Sequence, residues 1–468
     1  MLPIQLTPLL QREGNTEAYS HIDENPFLEV ARAPLSTFSI DVDTASYRNT
    51  RRFLNEGQLP PKDAVRIEEL INYFSYDYPQ PVGDAPFSVT AEVSECPWNT
   101  KHRLIHLGLQ GKRLAPGNLP PANLVFLVDV SGSMNEPNKL PLVQTGLRML
   151  VEQLREQDRV ALVVYAGASG VVLPATAGDR RGELLAAIDN LSAGGSTNGG
   201  EGIQLAYKIA RENFRQGGIN RVVLATDGDF NVGITSEGDL VRLIKDERQS
   251  GVFLSVLGFG TGNLKDSTME QLADQGNGNY AYIDTPAEAR KVLGQEIGGT
   301  LATIAKDVKI QVEFNPKQAA AYRLIGYENR LLRDEDFNDD TKDAGEIGAG
   351  HTVTALYEVV PFDQKFENPG VDPLKYQQPA PATELANSRE LMTVKIRYKQ
   401  PDADESKLLN VGLADPGGSY WNASNNFKFS SAVAAFGLLL RDSKYKSAAR
   451  YDHAVQLARA AAGTDAQG

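Results

Sequence analysis

Cysteine is nearly absent: the one residue of this type among 468, Cys96, cannot close an internal disulfide. Nothing in Val93-Ser94-Glu95-Cys96-Pro97 supplies the positive neighbours that activate a thiol, so it reads as a small buried side chain. Lack of disulfides leans toward a reducing compartment, although many exported proteins share it. A run of eighteen apolar residues is also missing, so no transmembrane helix is expected. Met1-Leu2-Pro3-Ile4-Gln5-Leu6 lacks the basic segment, apolar core and cleavage site of a signal peptide, as would a mature chain whose export signal had been removed. Histidine is scarce, with five in the chain, and His21, His102, His106, His351 and His453 all lie outside the central region. Zinc sites and triad catalysis are therefore poorly supported. Positive charge is in deficit as well: 47 Lys and Arg stand against 60 Asp and Glu, a formal net charge of -13. With no basic cluster to neutralise phosphates, a nucleic-acid partner is not expected, and neither is an anionic membrane surface.

What is present is an ordinary globular composition, 41% hydrophobic and 23% charged, over a length that suits two or three domains. Residues 1–35 are polar with little periodicity and read as an exposed lead-in. A small αβ unit is expected over 36–82, with a strand in Thr37-Phe38-Ser39-Ile40-Asp41-Val42 and helices over Ala45–Asn55 and Ala64–Phe74. Residues 83–120 carry two strands of period-2 alternation, Phe87–Val93 and Arg103–Leu109. The same alternation returns within 304–400, in Val308–Phe314, Thr352–Val359 and Leu391–Tyr398. These strands are expected to join in one β-sandwich with a central domain inserted between them. Residues 401–468 read as a linker and terminal helices, with Val433, Phe436 and Leu440, then Tyr451, Val455 and Ala458, at helical spacing.

The central region, 121–303, alternates apolar strands with amphipathic helices. That pattern predicts an α/β fold with a doubly wound, mostly parallel sheet covered on both faces. Strands are expected at Leu124–Asp129, Arg159–Tyr165, Arg221–Thr226, Val252–Gly258 and Tyr280–Ile283. Helices are expected near Lys139–Glu156, Gly182–Leu191, Gly200–Asn213, Glu237–Gln249 and Lys265–Gln275. Asp129-Val130-Ser131-Gly132-Ser133 then falls at the C-terminal rim of the first strand, where open α/β sheets bind ligands. One carboxylate and two hydroxyls at alternate positions of a turning loop offer hard oxygen donors, which suit Mg2+.

This Asp-x-Ser-x-Ser loop resembles the metal-ion-dependent adhesion site of von Willebrand factor type A domains. In that family a threonine from a second loop and an aspartate from a third complete the site. The matching positions are Thr197, within Gly194-Gly195-Ser196-Thr197-Asn198, and Asp227, within Thr226-Asp227-Gly228. The resemblance implies that Ser131, Ser133 and sometimes Thr197 bind the metal directly, while Asp129 and Asp227 act directly or through water. The ion would be Mg2+, with Mn2+ or Ca2+ as alternatives, and one position would be left for an Asp or Glu carboxylate of a protein partner. Movement of the domain's last helix, near Ala287 to Leu301, is a switch the same analogy suggests. A blander reading has Asp129 and Ser131 merely capping the next helix, but five oxygen donors on three loops are hard to explain as caps. The order of units, with Phe38-Ser39-Ile40-Asp41-Val42-Asp43-Thr44-Ala45-Ser46-Tyr47, resembles the bacterial YfbK-like group of type A proteins. Some of that group are thought to be exported or lipid-anchored, which favours an extracytoplasmic place without excluding the cytoplasm. The rival function is a structural one, in which the metal only stiffens the domain; no enzyme is expected.

Other signals read as structural. Asp41, Asp43 and Ser46 suit a helix N-terminus. Asp334, Asp336, Asn338 and Asp340 alternate as in a calcium loop, but Asp339 and Gly345 stand where Gly and Glu are needed, so an exposed acidic loop is expected. Gly258-Phe259-Gly260-Thr261-Gly262 misplaces the third glycine of a nucleotide fingerprint and reads as a tight turn.

Overall fold

A computed structural model describes residues 17, 19–40, 43–194, 199–228, 237–260, 265–296, 302–342, 344–366, 375, 381–401, 403 and 405–463. In chain order it begins with β1 (Leu28–Glu29), β2 (Leu35–Ser39), α1 (Ala45–Asn55), α2 (Ile67–Asn72), β3 (Phe87–Cys96) and β4 (Asn99–Gly111). The central domain follows: β5 (Ala122–Asp129), α3 (Leu140–Gln153), β6 (Arg159–Tyr165), β7 (Ser169–Ala177), α4 (Arg181–Asp189), α5 (Gly199–Glu212), β8 (Ile219–Thr226), α6 (Glu237–Gln249), β9 (Phe253–Phe259), α7 (Asp266–Gln275), β10 (Tyr280–Ile283) and α8 (Pro286–Ala289). The last helix then continues as a π-helical stretch, Arg290–Glu296.

The central sheet has the order β10-β9-β8-β5-β6-β7, parallel throughout except for the antiparallel edge strand β7. Strand β5 shows why it runs through the middle. Leu124, Phe126 and Val128 enter the core under α3 and α4, whereas Val125 and Leu127 enter the core under α5, α6 and α7. A strand covered on both faces needs apolar residues at every position, and each side chain so buried contributes roughly 1.5–3 kcal/mol. The expected parallel strands and helices are all found. The unforeseen β7 sits at the edge, with Val171 and Val172 exposed, so its sequence lacks a clean alternation.

The remaining strands are β11 (Thr303–Phe314), β12 (Ala319–Ile325), β13 (Gly345–Gly348), β14 (Thr352–Pro361), β15 (Glu390–Lys399) and β16 (Ser406–Ala414). One sheet runs β1-β12-β14-β4-β3 and a second runs β13-β11-β15-β16, with β2 also on β11. Ile105, Leu107, Val353 and Tyr357 from the first meet Ile310, Val312, Val394 and Ile396 from the second in one core. Strands from both sides of the central domain thus build one sandwich, and the domain is an insertion in it.

Three expectations are corrected. The lead-in is not wholly exposed: Asn25 is buried and donates to the carbonyls of Leu324 and Gly326, and β1 pairs with β12. Strand β2 is no part of a separate αβ unit, because it pairs with β11. The supposed linker contains β16, which pairs with β15 over its length. The terminal helices, Asn425–Leu440 and Tyr451–Ala461, do form and cover the outer face of the first sheet together with α2. The second of them buries Ala454, Leu457 and Ala461, whereas Tyr451 and Val455 face outward. Its apolar stripe therefore lies one position away from the face that the spacing suggested.

Helix α2 carries a buried carboxyl, Glu68. Burial first, then the neighbouring Glu328 and Glu69, push it up to about 8 against the opposing Arg441. Its folded value lies above the unfolded one, about 4.3, so the stability it contributes is lost as pH rises from there through about 8. Glu68→Gln is expected to flatten that fall and to exceed the wild type in stability above about pH 8, read by urea denaturation at pH values on either side.

Helices α1 and α2 also grip the last part of the central domain. Arg48 pairs with Glu288 at 2.8 Å, both 1% exposed, in an ion pair not aligned as a hydrogen bond. Arg51 reaches Asp284 at 2.6 Å, the Tyr73 hydroxyl donates to Glu288 at 2.8 Å, and the Lys291 ammonium donates to the Tyr73 carbonyl at 2.8 Å. Arg66 pairs with Glu69 and, at 2.7 Å, with Asp266 of α7. The cap position of α1 is Thr44, and Asp43 just before it reaches across to the central domain. Its carboxylate accepts from the Tyr280 amide at 2.8 Å and pairs with Arg330 at 3.2 Å, which pins the start of α1 to β10. Asp41 lies outside the described residues.

Candidate metal site at the strand rim

Strand β5 ends at Asp129 and the chain turns at once through the short 3-10 helix Gly132–Asn135. The turn is held from within: Oδ1 of Asp129 accepts from the Ser131 amide at 2.8 Å, and the Ser131 and Ser133 hydroxyls lie 3.0 Å apart. Beside it, β8 ends at Thr226 and Asp227 follows at once. The Thr226 hydroxyl lies 3.5 Å from Oδ2 of Asp129 and accepts from the Gly228 amide at 3.2 Å. Asp129 and Asp227 are both fully buried. Gly194 donates its amide to the Val130 carbonyl at 2.7 Å, so the second loop begins against the first. Thr197 lies outside the described residues.

Four of the five sequence candidates, Asp129, Ser131, Ser133 and Asp227, therefore stand at one rim. The Asp129 carboxyl is raised above its ordinary value, by burial first and also by the Asp227 carboxylate, against hydrogen bonds from Ser131. Two buried carboxylates with facing hydroxyls form an all-oxygen donor set of the kind a hard divalent cation prefers. Among the described residues, no group of three or more His, Cys, Asp or Glu side chains is placed to hold a metal ion, here or elsewhere, so this site would rely on hydroxyls beside its two carboxylates.

Sequence reasoning missed three neighbours. Thr226 and the buried Tyr165 bear on Asp129, and Lys139 places its ammonium 3.1 Å from Oδ2 of Asp227. The sequence pattern marks Lys139 only as a helix start. The other motifs stay structural. In the acidic loop, the Lys309 ammonium donates to the carbonyls of Asp336 and Asp339, and Lys399 to that of Asp340 at 2.8 Å. Of these, the Asp340 carbonyl holds the seventh position of the loop, the one whose carbonyl a calcium ion would use, and Lys399 occupies it. Cys96 is buried, and burial pushes its thiol up. No helix among the described residues is long and apolar enough to cross a membrane.

Comparison with known proteins fits this layout. The family model of the von Willebrand factor type A domain matches residues 123–295, one described as von Willebrand factor matches 13–106, and one described as the C-terminal part of uncharacterized protein YfbK matches 299–468. The uncharacterized protein YfbK of Escherichia coli K12 is 47% identical over 467 residues, covering 97% of this chain and 79% of its own length. The chain belongs to the YfbK family. Its central α/β unit is a type A domain, of a kind that commonly serves as a protein-interaction module. More distant relatives include inter-alpha-trypsin inhibitor heavy chain H3 of Homo sapiens, 26% identical over 58% of this chain, and E3 ubiquitin-protein ligase WAV3 of Arabidopsis thaliana, 22% identical over 58%. The matched region spans only 32% and 36% of those two proteins.

Proposed function

We propose that the chain is a divalent-metal-dependent protein-binding module, an adhesion or assembly device that captures an Asp or Glu carboxylate of a protein partner. The observation that carries this reading is the convergence of Asp129, Ser131 and Ser133 with Asp227 from a second strand end. In it the Ser131 and Ser133 hydroxyls hold Mg2+, Mn2+ or Ca2+ with Thr197, while Asp129 and Asp227 bind directly or through water. A bound divalent ion would supply a Lewis-acidic position for one incoming carboxylate oxygen. The Ser131 amide bond fixes the Asp129 carboxylate, which is buried at the strand end. Nothing in this reading needs catalysis, and the five histidines lie outside residues 121–303.

The rival reading makes the ion a structural stiffener only. Calorimetric titration with Mg2+ and Mn2+ is expected to show saturable binding by the wild type and none by the Asp129→Ala, Ser131→Ala variant. Loss of partner or model-carboxylate binding in a variant that keeps its Tm supports capture. Loss of Tm with carboxylate binding unchanged favours stiffening, and a wild type that binds neither ion ends the proposal.

A further inference from the structure

Lys139 is 3% exposed, an unusual place for an ammonium. Its burial is built from two directions. At the start of α3 its amide is fixed by the Glu136 carbonyl at 3.0 Å. Its stem runs across Gly260, whose φ is +78 and where an added Cβ would lie 2.3 Å from Cε of Lys139. A side chain there would therefore displace the lysine, and the left-handed backbone favours glycine in any case. Gly260 is itself held by the Tyr282 hydroxyl, which donates to its carbonyl at 2.5 Å. The passage leads to Oδ2 of Asp227 at 3.1 Å, with Glu136 the only other carboxylate paired with the ammonium among the described residues, at 3.8 Å on the exposed side.

We propose that Lys139 is a tethered counter-charge of the metal position, which neutralises Asp227 so that a bound divalent ion keeps surplus positive charge and selects a carboxylate. The inference rests on the metal-binding reading above. Two aspartates alone would cancel a divalent ion and leave little attraction for a third carboxylate. Counting Asp129, Asp227 and the Lys139 ammonium alone, the three groups sum to one negative charge without metal and one positive charge with it, while Glu136 pairs from the exposed side. In a buried, weakly screened site that difference in charge acts strongly on any ion that enters. The same ammonium weakens metal affinity while raising carboxylate affinity, and these opposite signs separate its role from simple packing.

Lys139→Met keeps the length of the stem and removes the charge. Calorimetry with Mn2+ is expected to show metal binding roughly tenfold or more tighter than the wild type. Acetate affinity for the Mn2+-loaded protein, followed by water-proton relaxation, is expected to fall severalfold. In chelator the variant should melt below the wild type, and the metal-induced gain in Tm should be larger. Gly260→Ala, which crowds the stem without removing the charge, is expected to shift both affinities the same way and serves if Lys139→Met does not fold. If the wild type binds Mn2+ and the variants bind it no tighter, the counter-charge is overturned and the metal site stands. If only the variants bind it, Lys139 is shown to oppose metal entry and the function proposed for the wild type falls. If none binds it, both fall.

Discussion

Glu288→Ala is expected to destabilise the protein by about 3–5 kcal/mol, because it leaves a buried arginine without its counter-ion. Arg48 is as deeply buried as Glu288, and the same carboxylate also receives Tyr73 and lies 3.3 Å from Arg51. Burial alone would raise this carboxyl, but Arg48, Lys291, Tyr73 and Arg51 outweigh burial and hold it below its ordinary value. Its folded value lies below the unfolded one, so its contribution is present above about pH 4.3 and is lost as pH falls through the folded value. The deficit of the variant should therefore be full near neutrality and should narrow in acid. Thermal melts near pH 7 should show a loss of roughly 2–4 °C per kcal/mol, and an unchanged melt would refute the clamp. The clamp bears on function through position. Glu288 lies in the last helix of the type A domain, and the groups that hold it from outside the domain are the arginines of α1 and the tyrosine that follows α2, far earlier in the chain. Any displacement of that helix has to break buried ion pairs, so helices preceding the domain govern how freely its end moves.

How much of this was legible in sequence depends on how local each signal is. The parallel sheet was readable because a two-faced strand such as Leu124–Asp129 announces itself by an unbroken apolar run. The Asp129–Ser133 loop was readable because its donors are contiguous, and Asp227 because it closes another such run. Lys139 was not, since the destination of its ammonium depends on the backbone of Gly260 in a loop far along the chain. Strands β1 and β16, and the sheet to which the expected strand β2 belongs, escaped the sequence for a related reason. Each is an add-on whose partner supplies the pattern: Leu28 opposite Tyr322, Phe38 opposite Ile310, Leu409 opposite Ile396. The helix Tyr451–Ala461 carries apolar residues on more than one face, so spacing alone could not say which face the sheet would cover.

Gly278→Ala is expected to have the other large effect, through backbone rather than charge. The turn between α7 and β10 lies directly on β9: the Leu254 amide donates to Gly276 at 2.9 Å, the Val256 amide to Asn279 at 3.0 Å, and the Gly278 amide to Ala273 at 3.0 Å. A Cβ at Gly278 would stand 1.7 Å from the Leu254 carbonyl oxygen and 2.9 Å from the Ser255 amide nitrogen. Neither neighbour is a flexible side chain that can swing aside, so relief requires the turn to lift off β9 and give up those bonds. The expected cost is about 3 kcal/mol, the upper part of the usual range for overpacking. The damage should reach a polar cavity of about 30 Å³ between the type A domain and the sandwich, lined by Arg221, Asp274, Asn277, Gly278, Glu346 and His351. Arg221 is buried there and held by the Ser255 hydroxyl at 2.6 Å, so lifting the turn would wet an arginine whose charge is now costly. Gly57→Ala is the control, because φ is +73 there but nothing lies within 4 Å of the added atom, and only the left-handed strain of about 1–2 kcal/mol applies. Denaturant melts of the two variants should therefore differ clearly, and equal losses would show that the turn adapts without leaving the strand.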